Sequence, residues 1–324
     1  MANSETMKAL DWLTTLHSNG VELGIAELLY YQSKLPAFAN KRKKIPRTVQ
    51  AGTSLSKIRG RGMEFDEVRQ YQPGDDIRAI DWRVTARTGQ PHTKLYREEK
   101  ERPVFVLTDF SPSQYFGSQL LFKSVQSAHL AAALAWLAQK RGDRVGGIVA
   151  NVQSHRELKP MARQRGVLHY LHSLVDLHQQ GLADWRQGQS GNHSQVLTEI
   201  LQRVDRLARP GSQLLLISDF YDLNENTAER LRVLAKHYPI EAFWIIDPFE
   251  FELPHAVGLD PLAVTDGKRQ RRIIAGDKQQ QQRYKNYAAQ RQQHVIQQLN
   301  QAGIPLHQVN SGLALEQQWR EVSR

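Results

Sequence analysis

The chain has 324 residues, enough for one large domain with additions or for two domains of ordinary size. Hydrophobic residues make up 40% and charged residues 23%, proportions that exclude a disordered or fibrous chain. The net charge of +10 permits an acidic protein, an anionic membrane surface or nucleic acid as a partner. Because the sequence contains no cysteine, any metal ion must be held by oxygen or imidazole ligands.

The N-terminal stretch predicts two short helices followed by a basic linker. Leucine and isoleucine residues between Lys8 and Phe38 recur mainly at helical spacing, and the basic run Lys41–Arg47 then breaks the pattern. We assign residues 1–47 to these helices and the linker. No apolar run approaches the roughly 20 residues that a bilayer requires, and the N-terminus has no signal-like core, so we expect a cytoplasmic protein.

Residues 48–102 predict an irregular, β-rich segment of short strands and turns. Within it, the motif from Gly62 to Trp82 is dense in charge. Its residues could form a partner surface or an ion-pair network that joins the segment to the sheet, since paired Asp and Arg side chains often fix a loop. The candidates are Glu64, Arg69, Asp75, Asp76, Arg78, Asp81 and Trp82.

From residue 103 onwards, strands alternate with helices. Buried parallel strands are predicted at residues 104–109, 145–150, 214–219 and 240–246. We expect an antiparallel edge strand, a hairpin and a last strand at about residues 155–159, 262–274 and 306–309. Helices are expected at about residues 119–140, 161–178, 194–208 and 277–301. The alternation predicts an α/β domain over residues 103–324, with a doubly wound, mainly parallel, Rossmann-like sheet and an N-terminal helical and β extension.

Asp109 and Asp219 each end a predicted strand. Ligands of doubly wound sheets bind beyond the carboxyl ends of strands, where the strand order reverses. If the two strands are neighbours, both carboxylates converge there, together with Ser111 and Ser113 of the loop that follows Asp109. Such oxygen ligands suit Mg²⁺ or Mn²⁺ better than zinc. The alternative is that Asp109 caps a helix and Asp219 begins a turn.

Two motifs resemble known families. The Asp-x-Ser-x-Ser sequence from Asp109 to Ser113, with Asp219 at a later strand end, resembles the metal-ion-dependent adhesion site of von Willebrand factor A domains. The motif from Gly62 to Trp82 resembles the signature of the bacterial family catalogued as domain of unknown function 58. That resemblance implies an A-like domain and an association with MoxR-type AAA+ ATPases. Adhesion sites usually add a Thr before the third helix, where this chain offers only Ser194.

The resemblance leads us to expect a non-enzymatic interaction module. It would partner a MoxR-type AAA+ ATPase in the maturation or assembly of a protein complex, and would engage an acidic client group through its metal site. One alternative is a nucleic-acid-binding protein that uses the basic runs Lys41–Arg47 and Lys268–Arg272, although no recognised motif accompanies them. Another is a metal-dependent hydrolase. Phosphotransferases with an Asp nucleophile need a second Asp two residues on, where this chain has Ser111.

Overall fold

The computed structural model describes residues 11–39, 63–98, 101–188, 195–253, 261–265, 270–274 and 277–322. The chain divides into two compact units. We call Pro46–Glu101 the signature unit, and Met1–Ile45 together with Arg102–Arg324 the α/β unit. Nowhere in the described ranges is a helix both long and apolar enough to cross a membrane.

The N-terminal helices belong to the α/β unit. Residues 11–16 are helical, and helix α1 spans Ile25–Ala39. Leu28 and Tyr31 of α1 are fully buried in a core that also includes residues of the central sheet. The N-terminal segment therefore contributes to the folding of the α/β unit.

The signature unit is an antiparallel hairpin with a short helix between its strands. Strand β1 (Met63–Gln70) pairs with β2 (His92–Glu98), and helix α2 (Trp82–Thr88) lies between them in sequence. The carboxylate of Asp81 caps α2 by accepting hydrogen bonds from the next helical amides, and Gly89 ends the helix with a φ of 74°. The sequence pattern predicts only strands and turns here. That prediction is wrong for residues 82–88, because a cap at each end stabilises a helix too short to show periodicity.

The α/β unit is built on a sheet in the order β10–β7–β6–β3–β4–β5. Its strands are β3 (Pro103–Asp109), β4 (Arg144–Ala150), β5 (His155–Met161), β6 (Gln213–Ser218), β7 (Ile240–Ile246) and β10 (Leu306–Asn310). Neighbouring strands are parallel except for the edge strand β5. Strands β8 (Pro261–Thr265) and β9 (Gln270–Ile274) form a separate hairpin. Because β4 lies on one side of β3 and β6 on the other, the strand order reverses between β3 and β6.

Helices cover both faces of this sheet. They are α3 (Lys123–Lys140), α4 (Arg163–Arg186), α5 (Val196–Leu207), α6 (Glu225–His237), α7 (Lys278–Gln301) and α8 (Leu315–Val322). Successive strand residues point to opposite faces, so that Val106 packs with α1, α3 and α4, whereas Leu107 packs with α5, α6 and α7. The predicted doubly wound, mainly parallel α/β fold is confirmed.

Helices α3, α4 and α8 differ from the sequence-based expectation. The helix expected from Gln119 begins at Lys123, because the amides of Leu121 and Phe122 donate hydrogen bonds to carbonyls of distant loops. Helix α4 extends past residue 178 because Gly181 lets it approach Tyr115, where a Cβ would lie 2.1 Å from the phenol oxygen. The sequence does not predict α8, which covers one end of the core.

Candidate functional site at the switch point of the sheet

Asp109 and Asp219 both lie where the strand order reverses. Asp109 is the last residue of β3, and Asp219 follows the last residue of the parallel neighbour β6. Their side chains are buried, with exposures of 2% and 1%. Phe220, directly after Asp219, has a φ of 49°, a left-handed backbone conformation that non-glycine residues adopt at a cost. The sheet topology and this strained turn together position the two carboxylates at one crevice.

Three internal hydrogen bonds hold the carboxylate of Asp109. Its Oδ1 accepts from the amide of Ser111 at 2.8 Å and from the Ser111 hydroxyl, and its Oδ2 accepts from the hydroxyl of Ser218 at 2.7 Å. Burial and the charge of Asp219 raise the pKa of Asp109 to about 6, although these hydrogen bonds act in the opposite direction. Both oxygens of Asp109 are therefore engaged within the protein, and so is Ser111.

The carboxylate of Asp219 pairs with a buried lysine. Lys123 Nζ lies 2.7 Å from Asp219 Oδ2 and 2.6 Å from Glu250 Oε1. Burial alone would lower the pKa of Lys123, but the two carboxylates raise it above its ordinary value. Burial would likewise raise the pKa of Asp219, but the charges of Lys123 and Arg291 hold it below its ordinary value. The ammonium and the carboxylate of Asp219 therefore stay charged at neutral pH.

Arg291 of α7 adds a second positive charge. Its Nη1 lies 3.7 Å from Glu250 Oε1, and its Nη2 donates a hydrogen bond to the carbonyl oxygen of Asp219 at 3.2 Å. The guanidinium also lies 4.6 Å from the ring centre of Tyr221, within the range of a cation–π interaction. We call Asp109, Lys123, Asp219, Glu250 and Arg291 the switch-point cluster.

Asp247, which follows β7, links three loops at the same edge of the sheet. Its Oδ2 accepts hydrogen bonds from the amide of Ser118 and the hydroxyl of Ser311, both at 2.9 Å. Its Oδ1 accepts from the hydroxyl of Ser118 at 2.5 Å and from the amide of Phe249 at 2.9 Å. The loops after β3, β7 and β10 are thus fixed to one another.

The cluster does not fit a divalent ion as it stands. The hydroxyl of Ser113 is buried beside Asp219, and its contact with that carboxylate lowers the pKa of the carboxyl. Ser113 could therefore serve as a ligand, but Ser194 lies outside the described residues. In the part of the chain that the structure describes, no three His, Cys, Asp or Glu side chains are grouped to hold a metal. A metal ion at Asp219 would also lie beside the ammonium of Lys123 in a poorly screened environment.

Three acidic residues of the signature motif, Asp75, Asp76 and Asp81, make contacts within the signature unit. Arg69 Nη2 lies 2.7 Å from Asp75 Oδ1, and Asp76 accepts a hydrogen bond from the amide of Arg78 at 3.0 Å. Asp81 Oδ2 lies 3.4 Å from Lys94 Nζ. These contacts support a structural network inside the unit.

The remaining predicted residues of this motif and of the basic runs are exposed or lie outside the described side chains. Trp82 is 67% exposed, and nothing is described of the side chain of Glu64. The run Lys41–Arg47 lies outside the described residues. Of the run Lys268–Arg272, the structure describes only the backbone from Gln270 onwards, in β9.

Sequence reasoning misses Lys123, Asp247 and Glu250. A signal for Lys123 does exist, because the sequence from there to Ala138 contains no other lysine and no Arg, Asp or Glu. A lysine at the start of such an apolar helix must find a carboxylate if the helix is buried. For Asp247, the signal is its position after an apolar run, like that of Asp109 and Asp219.

The fold and the cluster define an α/β protein whose loops meet around buried ion pairs at the switch point of a mainly parallel sheet. The chain belongs to the family described as Protein of unknown function DUF58, whose model matches residues 67–295. The predicted family is confirmed.

Two relatives and one solved structure illustrate the similarity. Uncharacterized protein Rv1480 of Mycobacterium tuberculosis is 32% identical over 206 residues, covering 63% of this chain and 61% of that protein. Uncharacterized protein YeaD of Bacillus subtilis is 32% identical over 110 residues, covering 34% of this chain and 25% of that protein. The conserved hypothetical protein BatB from Bacteroides thetaiotaomicron is 13% identical with a TM-score of 0.38, covering 62% of this chain and 98% of that one. The chain thus spans about three-fifths of the length of Rv1480.

Proposed function

We propose that the chain is a protein-interaction module without catalytic activity, and that it docks its partner on the loops at the carboxyl edge of the α/β sheet. Three of these loops each expose a large apolar side chain: Phe116 is 42% exposed, Tyr221 46% and Leu313 44%. We call these three residues the edge face. Exposed aromatic and aliphatic side chains that share one edge are typical of interaction surfaces. The exposure of these three residues is the observation that carries the proposal.

The loops that carry the edge face are held in place before any partner arrives. The carbonyl oxygen of Phe116 accepts a hydrogen bond from the amide of Lys123 at 2.8 Å, and the amide of Tyr221 donates to Asp219 Oδ1 at 3.0 Å. Asp247 ties the loop of Phe116 to the loop that begins at Ser311. A face fixed in this way loses little conformational entropy on binding, which favours affinity.

Burial of the switch-point cluster supports a non-catalytic role. Asp109, Lys123 and Asp219 are each at most 2% exposed, whereas a catalytic acid or base must reach the proton that it transfers. The carboxylates of the switch-point cluster that a hydrolase would use are largely buried, with Glu250 the most accessible at 14% exposure. The nucleic-acid alternative rests on basic runs that lie outside the described side chains.

The partner that the family resemblance implies is a MoxR-type AAA+ ATPase, acting with this chain in the maturation or assembly of a protein complex. The net charge of +10 suits a partner or client with an acidic surface, because complementary charge speeds association and orients the encounter. The edge face would then supply the apolar contacts.

The test is the affinity of the full chain for a MoxR-type AAA+ ATPase from the same genome, measured with ATP present. Phe116→Ala and Tyr221→Ala should each weaken binding at least about tenfold, as buried aromatic anchors do. Leu29→Ala is the matched control, because Leu29 is 36% exposed on α1 and lies outside the edge face. Unchanged affinity in both edge variants, or an equal loss in the control, would contradict the proposal.

A further inference from the structure

Lys123 lies where a positively charged side chain is unfavourable unless negative charges lie next to it. It is the first residue of α3, at the positive end of the helix dipole, and its side chain is 1% exposed. Both burial and the dipole disfavour an ammonium there. The carboxylates of Asp219 and Glu250, both within 2.7 Å, supply the compensation.

The two carboxylates come from different loops, and the lysine joins them. Asp219 follows β6, whereas Glu250 lies in the short turn after β7. The second oxygen of Glu250 accepts a hydrogen bond from the amide of Asp247 at 3.1 Å, so Glu250 is held from both sides. Bringing acidic groups of separate loops together around one positive charge is what a bound metal ion does in other proteins.

We propose that the ammonium of Lys123 is a permanent cation that bridges Asp219 and Glu250 in the switch-point cluster, and that it makes this site independent of divalent metal. Asp219 offers one oxygen to Lys123 and the other to the amide of Tyr221. The two oxygens of Asp109 are occupied by hydroxyl and amide donors. The inference holds whichever partner binds the edge face.

Removing the positive charge of Lys123 should change what the site can bind. Removing the ammonium leaves the carboxylates of Asp219 and Glu250 beside the Ser113 hydroxyl, with the guanidinium of Arg291 3.7 Å from Glu250 Oε1. Two carboxylates and a hydroxyl are a ligand set that suits Mn²⁺ or Mg²⁺. The lysine variant should therefore gain the metal binding that the wild-type chain lacks.

The experiment is a titration of the full chain with Mn²⁺, followed by electron paramagnetic resonance and by calorimetry. Wild type should bind no Mn²⁺ at millimolar concentration, whereas Lys123→Ala should bind one ion per chain with a Kd at least tenfold below that limit. Adding Asp219→Asn to Lys123→Ala should abolish that gain. Lys123→Gln serves as a second variant if circular dichroism shows that Lys123→Ala does not fold.

Two results would overturn the inference. One is a wild-type chain that binds a single Mn²⁺ and loses it on Asp109→Ala or Asp219→Ala. The other is a folded Lys123 variant that binds no more Mn²⁺ than wild type. Neither result depends on the partner assay, so this inference and the proposed docking face can fail separately.

Discussion

Buried polar side chains determine the position of the loop that begins after Asp109. His178 of α4 packs edge-on against Phe110, with ring centres 5.5 Å apart, and its Nε2 lies 3.0 Å from the hydroxyl of Ser124. Burial lowers the pKa of His178 to about 4. The imidazole is therefore neutral in the folded chain at pH 7, and it supports the loop as a packed ring.

The lowered pKa of His178 predicts that the folded chain loses stability in mild acid. The unfolded chain takes up a proton at His178 near pH 6.5, but the folded chain does so only near pH 4. The contribution of His178 is thus fully present above pH 6.5 and is lost as the pH falls through this window, by about 3 kcal/mol in total. The quantity to measure is the difference in free energy of unfolding between wild type and His178→Gln, across this pH range.

The free energy of unfolding must be compared between wild type and a variant, because Asp109 changes it with pH in the direction opposite to His178. Its pKa is raised to about 6, so the unfolded chain ionises first and stability from this group is lost as the pH rises from about 4 to 6. Taking the difference between the two proteins cancels this contribution. A difference that stays constant from pH 7 to pH 4 would contradict the assignment of a neutral, buried His178.

The sequence predicts only some residues of the switch-point cluster. Asp109 and Asp219 are recognisable because each follows an apolar run, and runs of this kind form neighbouring strands. The pairing of Lys123 with Asp219 and Glu250 is not recognisable, because it depends on how α3 packs on the ends of β6 and β7. Sequence distance carries no information about that packing.

The positions of the loops at the carboxyl edge of the sheet depend on hydrogen bonds to Asp247. Four hydrogen bonds from Ser118, Phe249 and Ser311 end on its carboxylate. The side chain is fully buried, so these donors have no water to replace it. The edge face is therefore expected to lose its order when Asp247 is removed.

Asp247→Ala tests this dependence. We expect it to lower the free energy of unfolding by about 3 kcal/mol and to raise hydrogen exchange at the amides of Ser118 and Phe249 at least about tenfold. Asp205→Ala is the control, because Asp205 pairs with Arg230 at an exposed position and should change stability by less than about 1 kcal/mol. Unchanged exchange at Ser118 in the Asp247 variant would show that other contacts hold the loop.

Strands and helices with a visible sequence pattern are predicted, but short capped helices and the exact ends of helices are not. The strand at Ile240–Ile246 and the helix of residues 278–301 follow from their apolar pattern and, for the helix, from the Asp277 cap. Helix α2 has only 7 residues, so its stability comes from its caps and no periodicity is visible. Helix α3 starts later than predicted because tertiary hydrogen bonds hold the residues before Lys123.

For the whole molecule, the alternation of strands and helices suffices to predict the sheet, because both of its faces must be covered. The place of the N-terminal helices is not predictable in the same way. The indole of Trp136 donates a hydrogen bond to the carbonyl of Leu28 at 3.3 Å, a contact that spans the whole signature unit in sequence. Such long-range packing depends on the shape of the surface that the folded sheet and helices offer.

The most direct test of the docking face is hydrogen exchange of the full chain with and without the MoxR-type AAA+ ATPase that we propose as its partner. The proposal predicts slower exchange in three loops on complex formation, at residues 116–122, 220–224 and 311–314. The exposed surface of α1 around Leu29 should exchange at the same rate in both states. Protection confined to the signature unit or to the helical faces, with no change in the three loops, would contradict the account.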